Sequence, residues 1–131
     1  MMMTYSFDKT LKGIGFNDAV LKVTDELKKE GFGVLTEINV KETLKKKIDA
    51  DIGNYLILGA CNPGFAHKAI LAENKIGVFL PCNVIVQEKE NGDIEISAVD
   101  PIVSMSAVQN ESLAGIATEV RDKLKKVIDH V

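Results

Sequence analysis

The two cysteines of this 131-residue chain are its foremost candidates for nucleophilic or soft-metal chemistry. Cys61 lies in Leu58-Gly59-Ala60-Cys61-Asn62-Pro63, and Cys82 in Leu80-Pro81-Cys82-Asn83-Val84. Each stands where an apolar, strand-like run meets an asparagine and a proline, so each is expected at the end of an element. Asn62 and Pro63 suit the N-cap and first position of a helix. Cys61 would then sit just outside a helix N-terminus, where the macrodipole favours a thiolate. The plain alternative is a small hydrophobe closing a strand, since free cysteine is among the most buried residue types. Cys82 shares a strand face with Val84 and Val86, which favours core packing. If the two strand ends meet, the pair could form a redox disulfide or offer two soft ligands. The 21-residue separation is not a C-x-x-C spacing. With His67 as a third ligand, Cys61 and Cys82 make only a weak metal set, because structural zinc sites use four. A lone helical histidine such as His67 is more often solvated, and His130 belongs near a helix C-terminus.

Four further residues are candidates for binding a ligand: Asn62, Gly64, Asn83 and Asp100. The helix after Asn62 offers free N–H groups at Gly64 and Phe65 for an anion, with Lys68 one turn on. Every helix has such an end, so the signal is general. Asn83 and Asp100 are expected to face each other at a hairpin mouth, making a polar pocket with Asn62 beside the thiols. Their ordinary role is to end strands and make local turn hydrogen bonds.

Other chemistries lack their motifs. Neither histidine accompanies a nucleophile motif such as G-x-S-x-G. Gly13-Ile14-Gly15 lacks the third glycine and the preceding strand of a dinucleotide fingerprint. Lys45-Lys46-Lys47 reads as a solvated helix face. No cofactor is indicated. A net charge of -3 argues against a nucleic-acid partner. No apolar run approaches the ~20 residues that span a bilayer, and the Met1-Met2-Met3-Thr4-Tyr5 start shows no secretory pattern. With 46% apolar and 27% charged residues, the expectation is one soluble domain over residues 1–131. The two cysteines then imply a reduced, cytoplasmic thiol pair.

The elements that must position these residues follow from periodicity. Thr4 to Phe7 reads as a short strand. Phe16, Val20, Val23 and Leu27 form one stripe of a helix from Phe16 to Glu30, capped by Asn17 or a neighbour and stopped by Gly31. Phe32 to Ile38 is a strand. Asn39 with Glu42 has capping-box spacing and opens a helix with Val40, Leu44 and Ile48 inward. Tyr55 to Cys61 is nearly all apolar, as in a central strand buried on both faces. Phe65, Ala66, Ala69 and Ile70 line the inner face of the next helix, and Ile76 to Pro81 is a short apolar segment. Asn91-Gly92 is a strong hairpin signal between Cys82–Glu90 and Asp93–Asp100. Read as a two-residue turn, it pairs Val84 with Val99, Ile85 with Ala98 and Asn83 with Asp100, after which Asp100-Pro101 ends the hairpin. A last helix from Asn110 to Val131 carries Leu113, Ile116, Ala117, Val120, Leu124, Val127 and Ile128 on one stripe.

This order predicts an α+β, two-layer sandwich: a mixed sheet of five or six strands with helices mainly on one face. The second sheet face then needs a cover, for which a homodimer is the economical answer.

Gly31-Phe32-Gly33-Val34-Leu35-Thr36-Glu37-Ile38, Leu58 to Pro63, Ile76-Gly77 with Leu80 to Val84, and Asp100-Pro101 together resemble the domain of unknown function 302 family. The resemblance runs from about Thr4 to Val131. It implies a small, often dimeric two-layer α/β domain and assigns no reaction. Other branches of that family carry Gly at the position of Cys61 while keeping Asn-Pro, which implies that the thiol is not essential to a family-wide role. Two functional expectations result. One is a dimeric module that binds a small ligand or partner near Asn62, Asn83 and Asp100. The other is a thiol-dependent redox protein or enzyme using Cys61 with Cys82.

Overall fold

The stop signal after the first long helix shows how local chemistry fixes the chain's turns. In the computed structural model, which describes residues 4–131, helix α1 (Phe16–Lys29) ends in a Schellman motif. The N–H of Gly31 donates to Lys28 O at 3.0 Å and that of Phe32 to Leu27 O at 2.9 Å. Gly31 takes φ +84°, a conformation that glycine adopts without a Cβ penalty. Phe32 and Leu27 both belong to the main buried core, which supplies the apolar contact of that motif. The Met1 to Met3 start, read above for a signal segment, lies outside the described residues.

The remaining elements are β1 (Ser6–Leu11), β2 (Gly33–Asn39), α2 (Val40–Ile48), β3 (Tyr55–Cys61), α3 (Pro63–Ala72), a 3₁₀ turn (Ile76–Phe79), β4 (Cys82–Glu88), β5 (Ile94–Val99), α4 (Pro101–Ser104) and α5 (Glu111–His130). The five strands form one sheet in the order β1-β5-β4-β3-β2, and every neighbouring pair is antiparallel. The expected mixed sheet is therefore corrected to a wholly antiparallel one, within the two-layer α+β architecture that the pattern predicted. The first strand begins two residues later than expected and runs on to Leu11.

The hairpin register differs by one residue from the two-residue reading. Gly92 N–H donates to Lys89 O at 2.9 Å and Lys89 N–H to Asp93 O at 2.8 Å. The loop is thus the three residues Glu90-Asn91-Gly92, with Gly92 at φ +89° as the bulge residue. Val84 pairs with Ala98, Ile85 with Ser97 and Val86 with Ile96. The physical reason is parity. Opposed residues share a face, and this register puts buried Val84 and Val86 beside buried Ala98 and Ile96. Asp100 is not opposite Asn83; it has already left the sheet.

On the covered face, α1 and α5 close over Leu58, Val84, Val86, Ile94 and Ile96, all fully buried. Fully burying one such side chain contributes about 1.5–3 kcal/mol, so this layer carries most of the stability. The α5 stripe is buried as expected at Leu113, Ala117, Val120, Leu124, Val127 and Ile128, while Ile116 is half-buried and touches both apolar clusters. Helix α2 has no buried residue, and Ile48, expected inward, is 69% exposed. Its main contacts are with β2 and β3, at the edge of the sheet, so little apolar cover is available to it. Strand β3 lies second from that edge and is only half-buried over Tyr55–Ile57, not sealed on both faces. No helix among the described residues is long and apolar enough to cross a membrane.

Candidate functional site

The strand ends that carry the cysteines do meet. Ala60 on β3 pairs with Cys82 on β4, and Cys61 follows in the next position. Beyond them opens a cavity of about 370 Å³ under α3 and α5. Its walls are Phe32 and Leu35 beside the sheet, Phe65, Ala66, Ala69 and Ile70 on α3, and Leu113, Ile116, Ala117 and Val120 on α5. Met105, Pro101, Leu80 and Pro81 complete it. The space has a sequence cause: α3 packs on α5, yet the facing positions Ala66, Ala69 and Ala117 are small. The polar side chains at the wall are Thr36, Asn62 and the two thiols.

The thiols differ in setting. Cys82 is 7% exposed, and burial, with the nearby Cys61 as a second cause, pushes its pKa up to about 11. It is therefore a neutral, hydrophobic wall element at physiological pH. Cys61 is half-buried at the same cavity, and both are free.

Asn62 caps α3 as its position predicts: its Oδ1 accepts from Phe65 N–H at 3.4 Å. Its amide also reaches across the fold, with Nδ2 donating to the Glu30 carbonyl at 3.4 Å. One side chain thus ties the C-terminal end of α1 to the start of α3. A Cβ on Gly31 would come within 3.0 Å of that Nδ2, so the amide needs glycine there as much as the backbone does. Glu30 itself faces Lys126 at 3.6 Å and Lys123 at 4.0 Å on α5. Gly64 is exposed, and a Cβ there would meet only Asn62 Oδ1 at 3.7 Å, an ordinary contact.

Asp100 plays the matching part after β5. Its Oδ1 accepts from Ile102 N–H at 3.0 Å, capping α4, and its Oδ2 faces Arg121 Nε at 3.5 Å. Asp100 is buried, and the guanidinium that balances its carboxylate lies over the Phe7 ring at 5.7 Å. The following residue, Pro101, lines the cavity. Neither α4 nor the role of Arg121 was foreseen. The Asp-Pro pair repeats the Asn-Pro helix-start signal and could have revealed α4.

Asn83 does not join this group. It is exposed and lies in a shallow hollow on the opposite sheet face with Tyr5, Asp8, Tyr55, Ile85 and Ser97. The polar trio expected around the thiols is therefore split between two faces. His67 is exposed on α3 and is not in the cavity wall with the cysteines. Among the described residues no group of three His, Cys, Asp or Glu side chains could hold a metal ion.

The fold that builds this site has a known counterpart. The profile of the domain of unknown function DUF302 matches residues 7–131. The chain belongs to this family. A crystal structure of an uncharacterised conserved DUF302 protein from Bacillus stearothermophilus is similar to it, with a TM-score of 0.89 and 28% identity over 98% of each chain. No curated protein matches. The similarity thus covers the strand ends and helices that build the cavity.

Proposed function

We propose that this DUF302 domain binds a small, largely apolar ligand in the cavity between the β3–β4 ends and helices α3 and α5. The observation that carries this reading is the cavity wall itself: about 370 Å³ lined by aliphatic and aromatic side chains, with Asn62, Thr36 and Cys61 as its few polar points. Ligand sites of roughly 300–1,000 Å³ with this composition are the usual form for small molecules. Asn62, Cys61 and Cys82 then act as wall residues, while Gly64 and Asp100 support the helix starts beside them. N-phenyl-1-naphthylamine, an apolar fluorescent probe, tests it. Binding should brighten the probe, decanoate should displace it, and Ala66→Phe, which fills the space, should weaken binding at least about tenfold. An unchanged signal in the filled variant sinks the reading.

A second reading is favoured by the shared cavity of Cys61 and Cys82: a redox pair. A low-molecular-weight disulfide would be attacked by Cys61, releasing one thiol. Cys82 would then displace the second, leaving an internal disulfide. Exposure to glutathione disulfide should lower the mass by two hydrogens, and Cys61→Ser should abolish that loss. Retention of both thiols under those conditions removes this reading.

The open sheet face supports a homodimer, in a reducing compartment such as the cytoplasm, where free thiols persist. Tyr5 is 69% and Ile38 49% exposed, and Ile85 with Val99 lines the hollow. A native mass spectrum should show two chains, and Ile85→Lys should return one.

A further inference from the structure

The stretch Ile70 to Phe79, part of which lines the cavity, carries apolar side chains that the fold does not cover. Leu71 at the end of α3 is 75% exposed and Val78 in the 3₁₀ turn is 82% exposed. Ile70 and Phe79 beside them are 45% and 39% exposed. Four of the eleven large apolar residues exposed among the described residues thus fall within Ile70 to Phe79, which makes this the densest such stretch. The stretch is continuous with the cavity, because Ile70, Gly77 and Leu80 line its wall. It is also flanked by cations: Lys68 and Lys75 are exposed. The one carboxylate between Pro63 and Pro81, Glu73, accepts a hydrogen bond from Asn110 Nδ2 at 3.3 Å. A chain of net charge -3 therefore presents here an exposed apolar stretch with two lysines against one carboxylate.

We propose that the Ile70–Phe79 face docks on a lipid bilayer bearing anionic headgroups, from which a single-chain amphiphile enters the cavity. Exposed aliphatics beside lysines are the pattern of interfacial binding, in which apolar side chains enter the headgroup boundary and cations meet anionic lipid. The choice of a bilayer rests on the apolar-ligand reading of the cavity. The expectation of no membrane partner came from the lack of an apolar run of ~20 residues, and that lack bears on spanning a bilayer, not on docking at its surface.

The test is co-sedimentation of the full chain with phosphatidylcholine vesicles containing phosphatidylglycerol, and with phosphatidylcholine alone. Binding is expected to the anionic vesicles and to fall with salt. L71Q/V78Q should reduce it about tenfold or more, and K68E/K75E severalfold. All four side chains are exposed, so the melting temperature should stay within a degree or two of wild type. No sedimentation of wild type, or equal sedimentation of L71Q/V78Q, overturns the proposal. Conversion of a dimer to a monomer by L71Q/V78Q also overturns it, because the face would then be a contact between copies. Naphthylamine binding without vesicles is read in parallel. Its loss in wild type counts against the cavity, whereas its retention with no vesicle binding counts against docking alone.

Discussion

Asn62-Pro63 and Asp100-Pro101 do the same job at two strand ends, with different side chains. Each follows a strand, caps a helix through its side-chain oxygen and puts proline at the first helical position. Asn62 has a second partner that accepts, the Glu30 carbonyl, so the cap must also donate. Asp100 has a second partner that donates, Arg121, so the cap must be a pure acceptor. Capping alone would tolerate either residue at either place; the cross-fold partner selects which. These two caps also bracket the cavity, since Asn62 and Pro101 both lie in its wall.

The largest effect is expected from exchanging the two residues. Asn62→Asp with Asp100→Asn keeps composition, net charge and both capping oxygens, yet should lower unfolding stability by roughly 2 kcal/mol in urea. A neutral exchange would show that the second partners contribute nothing.

An effect of similar size belongs to the wall between the caps. Burial raises the Cys82 pKa to about 11, above the unfolded thiol, so the folded state favours the protonated form. That stability is fully present below the unfolded pKa of about 8.5 and is lost as pH rises through the folded value. Wild type should therefore lose of the order of 2 kcal/mol between pH 8.5 and 11 relative to Cys82→Ala. Parallel alkaline denaturation curves for the two proteins would refute it.

Gly31→Ala tests the Asn62 side. It places a Cβ at φ +84° against the Asn62 amide and should cost about 1–2 kcal/mol. Combined with Asn62→Ala, the loss should be less than additive, because the crowded amide is gone. Strict additivity would disprove the coupling. The smallest effect is Asp100→Asn alone, under about 1 kcal/mol and fading with salt, because Arg121 is partly solvated.

The helices were legible because their signals are local. The α1 stripe, the Asn39 and Asn62 caps and the Gly31 stop depend on residues three or four apart. The α5 stripe depends on the same spacing, and of its expected members only Ile116 is half-buried rather than buried. The hairpin register was less legible. Asn91-Gly92 marks a turn without stating its length, and only the shared parity of Val84, Val86, Ile96 and Ala98 identifies the three-residue loop. That one residue removed Asp100 from Asn83 and divided the expected polar pocket. Of the candidate residues, Asn62 and the two cysteines line one cavity, as the expected meeting of the strand ends implied. The alanines that make the space were read simply as an inner helix face.

By itself the sequence determined the strands and the longer helices, the Asn39 and Asn62 caps, the meeting of the two cysteine-bearing strand ends as a conditional expectation, and the membership of the family. Those features rest on short-range periodicity and on motif order. The sequence did not reveal α4, and α1 begins at Gly15 without the side-chain cap expected near Asn17. Tertiary structure alone decided that the sheet is wholly antiparallel, that Asn83 faces away from Asn62, and that Ala66 and Ala117 leave a cavity between helices. Each of these depends on which distant residues pack together, and a face or a void exists only once both of its walls are in place.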